Sequence, residues 1–203
     1  MTDRESLTFS QRSQGMSIAW ICALVCLVLA TGCVRLPPPT DISGLTATEL
    51  AQRVTVNRSD FAKGETRTGM LLYGGLSMRS DSGLTMLSSI RCLRTIIAPG
   101  GARLHQLYIS VTYDATSWTF YSRAADDNGN PWPVVSISRH VEPCSMGTCI
   151  HSEDVAVGPL PEAYLRTKAA TGVRFHVTAN DGTRPLIVAL PANYIAGQLA
   201  ALP

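Results

Sequence analysis

The stretch that most restricts what this chain can fold into is residues 105–113, where apolar and polar side chains alternate without a break. His105, Leu107, Ile109, Val111 and Tyr113 fall on one face of an extended chain, and Gln106, Tyr108, Ser110 and Thr112 on the other. Side chains of a strand point to opposite faces in turn, so the pattern specifies a strand with one face in a core. A helix would scatter the same apolar residues around its circumference. Sheets with one covered and one solvated face are characteristically antiparallel.

Shorter runs of the same kind surround it. Residues 54–56 and 70–73 flank a polar turn region around Asp60 and Lys63-Gly64, and residues 87–97 run up to Pro99-Gly100-Gly101. Further strands are predicted over residues 118–123, 134–141 and 149–157, with polar turns at Asp114-Ala115 and at Asp126-Asp127-Asn128-Gly129-Asn130. The second of these turns begins like a calcium loop but has Pro131 where the loop needs glycine and Ile137 where it needs glutamate. Residues 76–83, rich in Ser, Gly and Asp, read as a loop. Strands joined by short polar turns predict an antiparallel meander.

Helix signals lie near the ends. Thr46 followed three residues later by Glu49 lets both side chains satisfy free amides, which predicts a helix over 47–53. Leu160-Pro161-Glu162 and Leu190-Pro191-Ala192 each place a proline, pre-set in φ, where a strand would feed a helix. Between them Val173, Phe175 and Val177 alternate, Asn180-Asp181-Gly182 signals a hairpin, and residues 186–190 return. The expected architecture is an α+β domain over 46–203: mainly antiparallel β-sheet, folding toward a sandwich, with short helices near both ends of the mature chain.

Ahead of this domain Arg12 precedes an apolar run over residues 16–29, broken only by Ser17, and small residues then lead to Cys33. That is a secretory signal pattern. The run falls short of the roughly 20 apolar residues that a spanning helix needs. Leu29-Ala30-Thr31-Gly32-Cys33 resembles the lipobox of bacterial lipoprotein precursors. The resemblance implies that residues 1–32 are removed as a signal peptide and that Cys33 becomes lipidated, anchoring the chain to a lipid bilayer. Val34 stands where an aspartate would signal retention in the inner membrane of Gram-negative bacteria, so the implied address is the outer membrane, on its periplasmic side. Several acyl chains on one residue would hold the chain stably. Residues 33–45, with Pro37-Pro38-Pro39, read as the lipidated cysteine and an extended tether. The mature part also resembles, loosely, small uncharacterised Gram-negative lipoproteins with a late cysteine pair, which implies no activity.

Cysteine arithmetic follows from that address. Cys22 and Cys26 leave with the leader and Cys33 takes lipid. In an oxidising compartment Cys144 and Cys149, separated by a short loop containing Gly147, are expected to form a disulfide. The competing reading is a zinc site from His140, Cys144, Cys149 and His151, all of ligand type. Cys92 is left over on a strand face with Ile90 and Ile96, and reads as a buried core thiol.

With 17 basic against 15 acidic residues and a net charge of +2, the chain offers no basic stripe for nucleic acid. No catalytic residue and no cofactor are indicated. Trp132, between Pro131 and Pro133, is either a packing residue or a contact for a partner. The functional expectation is an outer-membrane-anchored envelope lipoprotein acting as a non-enzymatic binding or assembly module for an unknown envelope protein. The alternatives are a metal-dependent or hydrolytic envelope enzyme, and a carrier of a small apolar ligand between its sheets.

Overall fold

A computed structural model describes residues 39–59, 64–74, 78–79, 85–144, 147–180 and 185–203. The expected leader with Cys33, the expected turn at Asp60 and Lys63, and the expected hairpin tip at Asp181-Gly182 lie outside the described residues. The central strand is β6 (Arg103–Ala115), and the residues it buries are those of the predicted apolar face, His105 to Tyr113, together with Ala115.

Antiparallel neighbours flank it on both sides: β5 (Thr85–Ile97) and β10 (Cys149–Leu160). Beyond β10 lies β9 (Val134–Val141), an edge strand. Beyond β5 come β2 (Gly64–Thr68) and then β1 (Thr55–Ser59), while β3 (Leu72–Gly74) and β4 (Met78–Arg79) pair with the rest of β5. A second sheet has the order β12 (Leu186–Leu190), β11 (Val173–Ala179), β7 (Tyr121–Asp126) and β8 (Pro131–Trp132). The helices are α1 (Ala47–Gln52), α2 (Glu162–Lys168) and α3 (Ala192–Ala200). The architecture is α+β and sandwich-like, as expected.

One core joins the two layers. Leu107, Ile109, Val111, Val155 and Val157 from the first sheet cluster with Phe175, Val177, Val188 and Leu190 from the second, and with Leu165, Tyr194 and Ile195 from α2 and α3. Burial of such side chains contributes about 1.5–3 kcal/mol each.

Four local expectations change. The strands do not form a simple meander, because the chain leaves the first sheet after Ala115, contributes β7 and β8 to the second, and comes back as β9 and β10. Met78 and Arg79, inside the expected loop, pair with Met86 and Thr85. Both prolines, Pro161 and Pro191, stand one place earlier than anticipated, as N-caps with extended backbone. The ordered body also begins before residue 46: Thr40 N–H donates to Tyr73 O at 2.9 Å, Thr40 Oγ1 accepts from Tyr73 N–H at 2.8 Å, and Ile42 is buried.

Polar atoms inside the core are linked in series. The Tyr194 hydroxyl accepts from Leu93 N–H at 3.1 Å and donates to Met70 O at 2.9 Å, filling the gap in the ladder where β2 ends and β3 has not begun. A Cβ on Gly69 would come within 2.6 Å of that hydroxyl, so glycine is required there. One turn later, Gln198 Nε2 donates to Arg67 O and to Thr95 Oγ1, and Thr95 Oγ1 lies 2.9 Å from His105 Nδ1. A hydroxyl that accepts from Gln198 has its proton free for Nδ1, which leaves Nε2–H facing Glu162 Oε2 at 3.6 Å.

Burial lowers the His105 pKa below its ordinary 6.5, against the opposing pull of Glu162, while Arg103 and Arg166 around that carboxylate add to the lowering. A histidine whose folded pKa is depressed stabilises the fold above its unfolded value, and that contribution is lost as pH falls through about 6.5 and below. Urea unfolding of the wild-type chain should therefore show stability declining from pH 7.5 to 5, with a shallower decline for His105→Gln. An identical pH slope in both proteins would contradict this account.

Candidate functional site

The site is built around a carboxylate on the wrong face. Glu153 falls in the same alternation as His151, Val155 and Val157, so the strand that buries these residues buries Glu153 too, at 0 % exposure. A buried charge is tolerated only when paired and hydrogen-bonded. Glu153 Oε1 accepts from the Tyr113 hydroxyl and from Phe120 N–H at 3.0 Å. Its Oε2 accepts from Tyr121 N–H at 3.3 Å and from Arg139 Nε at 3.4 Å. Tyr113 in turn accepts from Thr119 N–H at 2.9 Å, and its pKa is pushed up to about 12, first by burial and then by its bond to Glu153.

These bonds shape the segment between β6 and β7. The predicted strand over 118–123 starts only at Tyr121, because Phe120 takes a left-handed backbone with φ of 56°. For a bulky residue this conformation costs about 1–3 kcal/mol and needs its surroundings to enforce it. Glu153 does so by holding the amides of residues 120 and 121 together. The kink sends Tyr121 into the core and throws the Phe120 ring outward, 47 % exposed.

Around the ring stands a small aromatic and cationic group. The Arg139 guanidinium lies 4.8 Å from the Phe120 centroid, a cation–π contact, while the same side chain reaches Glu153. Trp118 lies 6.3 Å from Phe120 and presents an edge to His151 at 4.5 Å. His151 stacks on Tyr113 at 5.4 Å; its Nε2 lies 3.2 Å from Ala115 O, which can only accept, so Nε2 carries the proton. Beside this group runs β9, the free edge of the first sheet, with Val135, Ile137 and Val141 exposed. An exposed aromatic, an arginine and an uncovered strand edge are the parts of which protein-contact sites are made.

The residues singled out in the sequence distribute as follows. Cys144 and Cys149 are joined in a disulfide, which closes the turn between β9 and β10 near Glu142 N–H, itself donating to Ile150 O at 2.9 Å. The zinc alternative is not assembled: His140 pairs with Ser152 and His151 with Val141, so the two histidines sit on opposite faces of the sheet. Among the described residues no group of three or more His, Cys, Asp or Glu could hold a metal ion. Cys92 is fully buried, and burial pushes its thiol pKa up in spite of Arg94 nearby. Trp132 is half-buried, packed on Tyr164 at 4.8 Å and Phe175 at 6.5 Å. The loop that failed as a calcium site is an Asx turn, with Asp126 Oδ1 accepting from the amides of Asn128 and Asn130. Cys33 lies outside the described residues.

Sequence reasoning missed Glu153, Arg139 and the exposure of Phe120. Only the first left a mark, as an acidic residue in phase with a strand's apolar face. No protein-family model, curated protein or solved structure matches this chain.

If Glu153 enforces a strained Phe120, removing the ring should reveal the strain. Phe120→Gly and Phe120→Ala lose the same side-chain contacts, but only glycine accepts positive φ without strain. The glycine variant should be the more stable of the two by about 1 kcal/mol in chemical unfolding. Equal stabilities, or the reverse order, would contradict the assignment.

Proposed function

We propose that this protein is a lipoprotein of the bacterial cell envelope, anchored through acylated Cys33 to the outer membrane and working in the periplasm as a non-enzymatic binding or assembly module. The observation that carries the binding reading is Phe120: a ring held out toward solvent by a strained backbone that a buried carboxylate enforces. A residue with no external contact has no evident reason to bear that cost. The joined Cys144 and Cys149 support export, since such bonds persist in oxidising compartments.

The arrangement of the domain suits a tethered binder. The described chain enters at Thr40, bonded to the outer side of β3, whereas β9 and the aromatic group lie at the other edge of the same sheet. Four strand spacings separate those edges, about 20 Å. A contact at β9 would therefore face away from the point where the tether leaves. The donor set around Glu153 supports a structural over a catalytic role for it, because both oxygens are occupied and neither is left as a base.

Two measurements test the reading. Cys33→Ala should abolish incorporation of labelled fatty acid and release the chain from the membrane fraction; a membrane-bound, unlabelled variant would overturn the anchor. A photoreactive phenylalanine analogue at position 120 or 141 should give one discrete crosslinked species in cells, absent when the analogue replaces Ile187, which is more exposed than either and lies on the second sheet. Equal crosslinking from all three positions, or none from 120 and 141, would overturn the binding site.

A further inference from the structure

A second candidate site lies on the outer face of the second sheet, away from the core. There β7 runs between β11 and β8, and the register places His176, Ala125 and Pro131 in one row across the three strands, with Thr178 beside Arg123 in the next. Ala125 is the small member of its row, so the sheet dips between larger neighbours. The result is a cleft of about 430 Å³, walled on one side by His176 and Thr178 and on the other by Pro131 and Pro133. That volume lies in the range of small-molecule sites, about 300–1,000 Å³.

Its chemistry is one-sided. The surface is mostly apolar, formed by alanines and prolines, yet Arg123 and His176 both line it, and among the described residues no acidic one does. Among the described residues neither of these side chains takes part in an ion pair or a side-chain hydrogen bond, in contrast to Arg174 on the same strand face, which pairs with Asp127 at 3.1 Å. A planar guanidinium forks onto a carboxylate through two parallel bonds. A phosphate is more often cradled by several backbone amides at a helix start or turn, and sheet ladders occupy the amides here. The geometry points to a binding site for a small organic monocarboxylate, with its charge on Arg123 beside His176 and its apolar body over Ala125 against Pro131. This is independent of the contact at Phe120, which rests on Arg139 and the edge of the first sheet.

The test uses 4-phenylbutyrate as probe and its neutral amide as control, titrated into the full chain in non-ionic detergent. The readout is the backbone N–H signals in nitrogen–proton correlation spectra. The backbone N–H signals of Ala125 and His176 should shift saturably with the acid and hardly with its neutral amide, while those of Val155 and Val157 in the first sheet stay in place. Arg123→Gln removes the fork and Ala125→Leu fills the floor without touching the core, and each should weaken binding by about tenfold or more, as loss of a charge-assisted contact does. Unchanged melting of both variants shows that they fold. The inference is overturned if the acid gives no saturable shift, if the amide or inorganic phosphate binds as well as the acid, or if neither substitution weakens binding.

Discussion

A carboxylate shut off from water must find its donors inside the protein, and the far end of this domain is arranged around that requirement at Glu153. Its partners come from three separate segments: Tyr113 on β6, the amides of Phe120 and Tyr121 at the start of β7, and Arg139 on β9. One side chain thus ties the first sheet to the strand that opens the second. Leaving a buried carboxylate short of a donor costs about 1–3 kcal/mol, more where the group is charged, so the connection is expensive to break. The same bonds fix the kink at Phe120, turning Tyr121 inward and Phe120 outward. Fold and candidate contact share a single cause.

The other end is held by a neutral device. Tyr194 stands in for a missing ladder bond between Leu93 and Met70, and Gln198 continues the connection through Thr95 to His105. Both residues come from α3, so the last helix of the chain closes the edge at which β2 and β3 share β5. Thr40 and Ile42 dock on the same side of the sheet. The buried carboxylate and the strained backbone lie at one edge of the sheet, and the docking of Thr40 and Ile42 at the other.

How much of this the sequence shows depends on the range of the interactions. The alternation from His105 to Tyr113 reports a local property, burial of one strand face, and it placed β6 and its core side chains correctly. The capping pair Thr46 and Glu49 is equally local and is present. Strand order is not local. The sequence has nothing to say that β10 returns to β6 after two strands have gone to another sheet, since that choice rests on contacts between residues far apart. Phe120 is harder still: read as part of a strand over 118–123, it departs from the strand because of a carboxylate more than thirty residues later. The cleft at Ala125 exists only once β7 lies between β11 and β8. Cys144 and Cys149, close in sequence, were legible for the same reason that β6 was.

The central claim is that Glu153 holds the segment leading into β7. Native-state hydrogen exchange at the amides of Phe120 and Tyr121 tests it most directly. The account predicts that both exchange as slowly as amides of β6, although Phe120 lies outside any strand, and that Glu153→Gln speeds both while leaving β11 amides unchanged. Exchange of the Phe120 amide at the rate of an open loop in the wild-type protein would contradict it.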